Sequence, residues 1–421
     1  MRLTRLSIRN FRGFASLELT LDPEVTLLVG ANGAGKTALI EAAATALGGF
    51  LMPLSAVGNV LVPPVDPEQV RRVVHVHNGI PDLQRQLPLV VTAEALLDGR
   101  NETWARSLDK SLTKAEGDVI GLVNQLGARV QAGEPVDLPV IASHGARRGS
   151  GEPHDPSWAG RVGSRFDGYD QCLDAVATHR YLSWWMKQQT FIELQQRERN
   201  PGYRHPQLAA VQAAVRSAID GVDRFWFDLL HDELRLETRA GVRSFAMMSD
   251  GYRNLIAIVA DIAWRAAVLN PHYGEGASVR SAGVVLIDEL ELHLHPAWQL
   301  RVIADLQRTF PRIQFIATTH SPQVVGSVRR EQVRLLHDDA VAAEVPFVSG
   351  RDANALLEDV FGVSPRQRWA QDKLDRIFRL LDDEEYEAAR DLLAEVRADL
   401  GPDDAAVIRA QWVLDTEAAP S

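Results

Sequence analysis

Eight residues near the N-terminus, Gly30 to Thr37, read GANGAGKT and fit the pattern G-x-x-x-x-G-K-[ST]. The glycines let the backbone wrap closely around a phosphate, and the backbone N–H groups at the following helix start supply positive potential. We expect Lys36 to reach the β- and γ-phosphates of a nucleotide and Thr37 to ligate Mg²⁺. The nucleotide contacts of this phosphate-binding loop are expected from Gly30, Ala31, Asn32, Gly33, Ala34, Gly35, Lys36, Thr37 and Ala38.

Two further motifs place polar side chains directly after apolar runs. Asp288 and Glu289 follow the run 284–287, and His320 follows the run 313–318. We expect Asp288 to hold Mg²⁺ directly or through water, and Glu289 to orient or deprotonate an attacking water. Ligands gather at the carboxyl ends of strands in α/β sheets, so His320 is predicted to sense the γ-phosphate. Together with Lys36 these residues predict a site that hydrolyses ATP.

A fourth motif, SDGYRNL at 249–255, opens a predicted helix. Ser249 suits a helix N-cap, and a helix N-terminus that carries Ser249 and Gly251 is also an anion site. We therefore take both residues as candidates for a phosphate contact.

The elements that must position these motifs alternate between strands and helices. Alternating or continuous apolar residues predict strands at 3–8, 17–21, 25–29, 88–95, 103–108, 136–143, 233–237, 283–287 and 313–318. Helices are expected at 38–47, closed by Gly48-Gly49, at 252–269 and at 296–309. The segment 171–220 also looks helical, with Trp184, Trp185 and Phe191 on its apolar side. The chain from about residue 353 is acidic and helical.

Composition limits the class of protein. The 421 residues are 46% hydrophobic and carry a net charge of −11, which argues against bulk nucleic-acid binding but leaves room for a local basic face. One cysteine, Cys172, excludes an internal disulfide. We see no signal peptide and no apolar stretch of the roughly 20 residues that a membrane span needs. The expectation is a soluble cytoplasmic protein without membrane contact.

The order GANGAGKT, SDGYRNL, VVLIDEL and TTHSP resembles the ABC-type ATPase heads of the SMC, Rad50 and RecF group. RNFRGF at 9–14 and ELHLHP at 291–296 add to the resemblance. It implies a homodimer, or a higher oligomer, in which two ATP molecules lie between Lys36 of one copy and Ser249 of the other. It also implies that Arg12 approaches the nucleotide. Gln69, Gln84 and Gln86 are the candidates for the family's Q-loop glutamine.

A narrower resemblance extends outside the ATP motifs. LPVIASHGARR at 138–148, SRFDGYDQCLD at 164–174 and the C-terminal helical segment look like the PtuA-like ATPase subunit of Septu-type and retron-associated anti-phage systems. This resemblance implies a separate HNH-type nuclease subunit as partner, with nucleic acid reached through the complex. A Toprim nuclease is not expected, because 330–421 is too short and lacks its acidic pattern. Arg147, Arg148, Arg161 and Arg165 either meet a phosphate-rich partner or support a loop.

The predicted fold is therefore α/β: a P-loop ABC-type ATPase head with a mixed sheet, an inserted subdomain and a C-terminal helical segment. The predicted parts are an N-terminal ATPase lobe (1–110), a mostly helical insertion (111–232), a C-terminal ATPase lobe (233–350) and an acidic helical segment (351–421). The predicted function is an ATPase that dimerises around ATP and regulates a nuclease in anti-phage defence. The alternatives are a RecF-type repair ATPase that acts on DNA, the nucleotide-binding subunit of a transporter, and a slowly hydrolysing ATP-gated scaffold.

Overall fold

The computed structural model describes residues 1–56, 58, 60–109, 112–146, 163–174, 179–337, 340–342 and 344–417. The chain divides into two compact units, Met1–Arg351 and Asp352–Ser421. Arg147, Arg148 and Arg161 of the predicted phosphate-contacting stretch lie outside the described residues.

The strands of the described chain are, in order, β1 (Arg2–Phe11), β2 (Phe14–Thr20), β3 (Val25–Gly30), β4 (Arg72–His77), β5 (Ile80–Arg85), β6 (Leu89–Leu97), β7 (Arg100–Asp109), β8 (Leu112–Gly117), β9 (Val140–His144), β10 (Val222–Asp228), β11 (Glu233–Thr238), β12 (Gly241–Ser244), β13 (Gly283–Ile287), β14 (Ile313–Thr319), β15 (Val333–His337) and β16 (Ala340–Val341). Its α-helices are α1 (Lys36–Leu51), α2 (Val119–Gln131), α3 (His179–Arg199), α4 (Pro206–Ala218), α5 (Asp250–Leu269), α6 (Ala277–Arg280), α7 (Pro296–Gln299), α8 (Val302–Thr309), α9 (Pro322–Gly326), α10 (Ala353–Asp359), α11 (Arg368–Asp382), α12 (Tyr386–Leu400) and α13 (Ala405–Glu417).

The sheet that carries the chemistry has six strands in the order β16-β15-β3-β14-β13-β9. All neighbours are parallel except β16, which is antiparallel to β15. Every residue of β3, β13 and β14 is buried, which explains why these segments read as continuous apolar runs. The parallel arrangement brings the carboxyl ends of β3, β14 and β13 to one edge. The predicted α/β fold with a mixed sheet is confirmed.

A second, antiparallel sheet has the order β2-β1-β6-β7-β8. The strands expected at 88–95 and 103–108 are present as β6 and β7. β6 pairs with β1 over seven positions, so these strands complete the N-terminal sheet. Because β6 has apolar residues on both faces, its sequence does not predict which strand pairs with it.

The helix after the phosphate-binding loop continues past its predicted end. Gly48 and Gly49 lie inside α1, although the sequence predicted a C-cap there. A Cβ on Gly48 would lie 2.3 Å from Nη1 of Arg106, and one on Gly49 would lie 3.0 Å from Cδ1 of Trp104. The two glycines therefore allow β7 to approach the helix closely, and tertiary packing overrides their weak helix propensity.

One buried glutamine joins the two sheets. The Gln314 side chain on β14 accepts a hydrogen bond from the Leu3 N–H and donates to the carbonyls of Leu3 and Asp22, at 2.7–2.8 Å. Because Gln314 is fully buried, these bonds satisfy its amide and fix β1 against the six-stranded sheet.

Other expectations are met in part. Trp185 of α3 is buried and packs against Trp264 of α5, but Phe191 is 46% exposed, so its predicted place on the apolar side is wrong.

The helix expected at 296–309 is broken into α7 and α8 at Leu300-Arg301. Strand β9 lies within the predicted insertion yet pairs with β13 in the six-stranded sheet. The four-part division of the chain as a whole stays a prediction.

The second unit is helical, as the sequence predicted. Its core repeats at three- and four-residue spacing on three helices and comprises Leu374, Ile377, Leu381, Ala389, Leu393, Val396, Val407, Ala410 and Leu414. Residues 352–421 contain 17 acidic and eight basic residues, so this unit accounts for most of the net charge of −11.

By length and composition, one helical segment of the described chain, Lys36–Ala56, is apolar enough to cross a membrane. The segment includes α1, and 67% of its most apolar window is buried inside the protein, as expected for a core helix.

Candidate nucleotide-binding and hydrolysis site

The carboxyl ends of β3, β13 and β14 surround a cavity of about 300 Å³, called here the nucleotide cavity. Ten residues line it, and they come from the phosphate-binding loop, the segment after β13 and the segment after β14. They are Asn32, Gly33, Gly35, Lys36, Thr37, Ala38, Asp288, Glu289, Thr318 and His320.

The phosphate-binding loop owes its shape to glycines at positions of positive φ. Gly33 and Gly35 have φ values of 85° and 87°. A Cβ on Gly35 would also lie 2.4 Å from Cζ of Phe14, so this position excludes a larger residue on two grounds. No acidic side chain lies in the first turn of α1, which leaves the N-terminal N–H groups available to an anion.

Lys36 is buried at the first position of α1. Its ammonium donates hydrogen bonds to the carbonyls of Gly30 and Ala31, both at 2.8 Å. Burial lowers the pKa of Lys36, while the nearby carboxylates of Asp288, Glu291 and Glu289 raise it. Burial is the larger of the two effects, so the pKa of Lys36 lies below its ordinary value.

Thr37 and Asp288 meet although they are 251 residues apart in sequence. The Thr37 hydroxyl donates to the Asp288 carboxylate at 3.0 Å, and the Thr318 hydroxyl donates to it at 2.6 Å. A hydroxyl and a carboxylate are hard oxygen donors of the type that Mg²⁺ prefers, with the remaining positions left for water and phosphate. The donor set therefore fits Mg²⁺. Among the described residues, no group of three or more His, Cys, Asp or Glu side chains could hold a metal ion on its own.

Glu289 adopts a left-handed backbone conformation at the end of β13, with a φ of 50°. Its N–H donates to the Thr318 hydroxyl at 2.7 Å. A non-glycine residue at positive φ costs free energy unless its surroundings impose it, and such positions cluster at functional sites. The bond to Thr318 helps to impose the turn that aligns the Glu289 side chain with the cavity.

His320 lines the cavity, and its backbone is held by a carboxylate that the sequence reading did not select. Glu291 accepts hydrogen bonds from the His320 N–H at 2.6 Å and from the Thr319 hydroxyl at 2.7 Å. Glu291 and Thr318 thus connect the ends of β13 and β14. In the sequence, Glu291 could have been identified as a site residue because it lies two residues after Glu289. Thr318 could have been identified because it begins the Thr-Thr pair that precedes His320.

Neither Ser249 nor Gly251 is among the described residues that line the nucleotide cavity of their own chain. Ser249 is the exposed N-cap residue of α5, and Gly251 follows in its first turn. A Cβ on Gly251 would lie 2.2 Å from the carbonyl oxygen of His293, so this helix end packs closely on the loop after β13. The rings of Tyr252 and Trp298 pack edge to face with centroids 4.1 Å apart. We call Ser249–Tyr252 the signature segment.

Arg12 does not line the cavity. Its guanidinium makes two hydrogen bonds to the Glu41 carboxylate of α1, at 2.9 and 3.0 Å. The approach of Arg12 to the nucleotide stays a prediction.

The three Q-loop candidates and Arg165 also lie outside the nucleotide cavity. Gln69 lies in a short helical turn and accepts a hydrogen bond from the Arg12 N–H, Gln84 lies on the exposed β5, and Gln86 pairs with Arg71. None of the three lines the nucleotide cavity. Arg165 donates to the backbone carbonyls of Leu269, Glu134 and Val136, which supports the structural interpretation of this arginine.

Two family matches cover the segments that form the site. The family described as "AAA domain" matches residues 5–75, which include the phosphate-binding loop. The family described as "AAA domain, putative AbiEii toxin, Type IV TA system" matches residues 190–326, which include the signature segment, Asp288, Glu289 and His320.

Similar proteins carry defence-system names. The chain is 33% identical over 214 residues to "Retron Ec83 probable ATPase" from Escherichia coli, a match that spans 49% of this chain and 39% of that protein. It is 30% identical over 166 residues to "Septu protein PtuA" from Bacillus mycoides, spanning 37% of this chain and 22% of that protein. The chain is similar to the retron and Septu ATPases over these segments. The resemblance expected from the sequence is confirmed, and the ATPase class is the one that these relatives and the AAA families support.

The matches with these relatives thus span less than half of either protein's length. Among solved structures, the SMC head domain from Thermotoga maritima is similar over 82% of this chain and 100% of that chain, with 14% identity and a TM-score of 0.43.

Proposed function

We propose that this chain binds ATP with Mg²⁺ in the nucleotide cavity and hydrolyses it. The observation that carries the proposal is the convergence of Lys36, Thr37, Asp288, Glu289 and His320 on one cavity from three separate parts of the sequence. A tight turn or a structural acidic pair would not bring all five together.

Each residue has a role that follows from its chemistry and place. Lys36 and the N-terminus of α1 neutralise the phosphates, and Thr37 and Asp288 would hold Mg²⁺. The metal, when bound, supplies charge neutralisation at the β- and γ-phosphates. Glu289 orients the attacking water or accepts its proton, and His320 contacts the γ-phosphate. Thr318 positions the Asp288 carboxylate, and Glu291 positions the backbone of His320, through hydrogen bonds.

We also propose that a second copy of the chain completes the site. Ser249 is exposed at a helix N-terminus and does not line the cavity of its own chain. The phosphate that Ser249 is expected to contact would therefore belong to a nucleotide bound by another copy. ATP would then lie between Lys36 of one copy and the signature segment of the other. ATP binding would favour the dimer, and hydrolysis would release it.

The names of the relatives support a role in anti-phage defence. We propose that the ATP-driven dimer, in the cytoplasm, regulates a separate nuclease of the HNH type, and that nucleic acid is reached through that complex.

Glu289→Gln tests the ATPase assignment. The change keeps the size of the side chain and removes its basicity, so we expect turnover to fall about 10²–10⁴-fold while ATP binding is retained. ATP-bound dimers should accumulate and be visible by size-exclusion chromatography with light scattering. Glu275→Gln, at an exposed surface position, is the matched control. Unchanged turnover in Glu289→Gln would remove this residue from the mechanism.

The partner is tested separately. An adjacent reading frame for an HNH nuclease, or for a reverse transcriptase, would support the defence role, and the encoded nuclease should bind the ATP-trapped dimer of Glu289→Gln. Salt-sensitive DNA binding by the purified chain alone would instead favour a RecF-type ATPase that acts directly on DNA.

A further inference from the structure

A buried polar cluster lies beside the nucleotide site but outside the nucleotide cavity. It consists of His144 at the end of β9 and of Asp261 and Arg265 on α5, and each of the three is at most 6% exposed. Burying charged groups costs free energy unless they are paired, and apolar residues of similar volume would often serve stability equally well. Asp261 and Arg265 are paired at 2.9 Å, which offsets this cost, so the contacts of the cluster are what point to a further role.

The first contact of the cluster is with the Mg²⁺-binding carboxylate residue. β9 is the neighbour of β13 on the side away from β14, and His144 is in register with Ile287. The Asp288 N–H donates to the His144 carbonyl at 2.8 Å. The position of the Asp288 backbone thus depends on where His144 lies.

The second contact is with the helix that carries the signature segment. Nε2 of His144 lies 3.6 Å from Oδ2 of Asp261, in the middle of α5. The same oxygen accepts a hydrogen bond from Nε of Arg265 at 2.9 Å. Arg265 in turn donates to the carbonyls of Gly168 and Asp170, at 2.9 and 3.0 Å, which fixes the cluster on its far side.

α5 connects this cluster to Ser249. The helix runs unbroken from Asp250 to Leu269, with Ser249 as its N-cap. Asp261 is twelve residues from Ser249, or about 18 Å along the axis at 1.5 Å per residue. Because a helix moves as a stiff element, a displacement of the signature segment is transmitted to Asp261.

We propose that His144 is a positioning residue that, through Asp261, couples the signature helix of each copy to its own Asp288. Engagement of Ser249 by the nucleotide of the second copy then sets the position of the Mg²⁺-binding carboxylate in the first. This inference rests on the proposed ATPase dimer and adds a route by which one ATP site regulates the other.

Asp261→Asn and His144→Ala, singly and together, test the coupling. We expect each single variant to lower kcat for ATP about tenfold with KM changed less than about twofold, as for residues that orient a metal ligand. The double variant should be no worse than either single variant, because both break the same link. His144→Gln, which retains a side-chain hydrogen-bonding group, should recover part of the turnover.

A second readout does not depend on turnover. Affinity for a fluorescent ATP analogue in EDTA should stay unchanged in all variants, while the Mg²⁺ concentration needed for ATP-dependent dimer formation should rise. Asp305→Asn is the matched control, because Asp305 on α8 is equally buried and pairs at 2.7 Å with Arg301, the N-cap residue of that helix, at the same four-residue spacing. It should lose comparable stability and keep its kcat.

The outcomes separate the two proposals. Additive losses in the double variant, or equal kcat in Asp261→Asn and Asp305→Asn, would overturn the coupling while leaving the ATPase intact. Absence of ATP turnover in the wild-type chain would overturn the proposed function, and this inference with it.

Discussion

The nucleotide cavity and the signature segment belong to the same compact unit but differ in how they are held. The cavity forms where three fully buried strands end, and Lys36, Asp288 and Thr318 within it are buried and hydrogen-bonded. The signature segment lies at an exposed helix end, preceded by Met247 with 85% of its surface exposed. One half of the proposed site is therefore preorganised by the core, and the other is presented on the surface.

This difference predicts different consequences of mutation in the two regions. Changes in the cavity should act on a single chain, in nucleotide affinity and in chemistry. Changes in the signature segment should act only when two copies meet, so they should depend on protein concentration. The following variants test this contrast in order of decreasing effect.

Lys36→Ala removes the buried ammonium of the cavity. We expect turnover to fall about 10²–10³-fold, since a preorganised charge that faces the phosphates is lost. ATP affinity, measured with a fluorescent analogue, should fall at every protein concentration. Near-normal affinity would show that the loop N–H groups alone bind the phosphates.

Ser249→Arg changes the exposed half of the site. A bulky cation at this position should block the dimer contact, and loss of a hydrogen bond to a charged phosphate corresponds to roughly 10–100-fold in turnover. ATP affinity of the isolated chain should remain that of the wild type. Reduced affinity at protein concentrations where only single chains are present would contradict the assignment of Ser249 to a second copy.

Thr318→Val keeps the shape of a residue that orients two cavity groups. It removes the hydroxyl that donates to Asp288 and accepts from the Glu289 N–H. We expect the Mg²⁺ concentration for half-maximal turnover to rise about tenfold, as is usual when a metal ligand loses its support. Thr20→Val, at an exposed position on β2, is the control and should leave the Mg²⁺ requirement unchanged.

Gly251→Ala probes the packing of the signature segment with the smallest change. The added Cβ would meet the His293 carbonyl at 2.2 Å, so we expect the free energy of unfolding to fall by about 1–3 kcal/mol. Gly121→Ala on α2 has no atom within 4 Å of the new Cβ and should be neutral or stabilising by up to about 1 kcal/mol. Equal urea midpoints for the two variants would show that the loop after β13 shifts to accommodate the added Cβ at little cost in free energy.

Local patterns predicted the parallel strands well and the other elements less completely. The runs 25–29, 283–287 and 313–318 are strands because continuous apolar residues suit burial on both faces. Gly48-Gly49 predicts a helix end because its signal is local, but the helix continues, because Trp104 and Arg106 of a distant strand approach it closely. Phe191 was predicted on the buried side of its helix but is exposed, because an apolar residue in a helix need not pack against another element.

The sequence by itself determined which residues bring chemistry to the proposed site. Lys36, Thr37, Asp288, Glu289 and His320 stand at fixed distances from strand ends, and parallel strands bring their carboxyl ends to one edge. Only the tertiary structure decided the partners of these residues. Thr318 and Glu291 hold the acidic residues and His320, Glu41 pairs with Arg12, and His144 joins Asp288 to the signature helix. The physical reason is that strand ends are set by local patterns, whereas hydrogen bonds between segments up to hundreds of residues apart depend on the strand order.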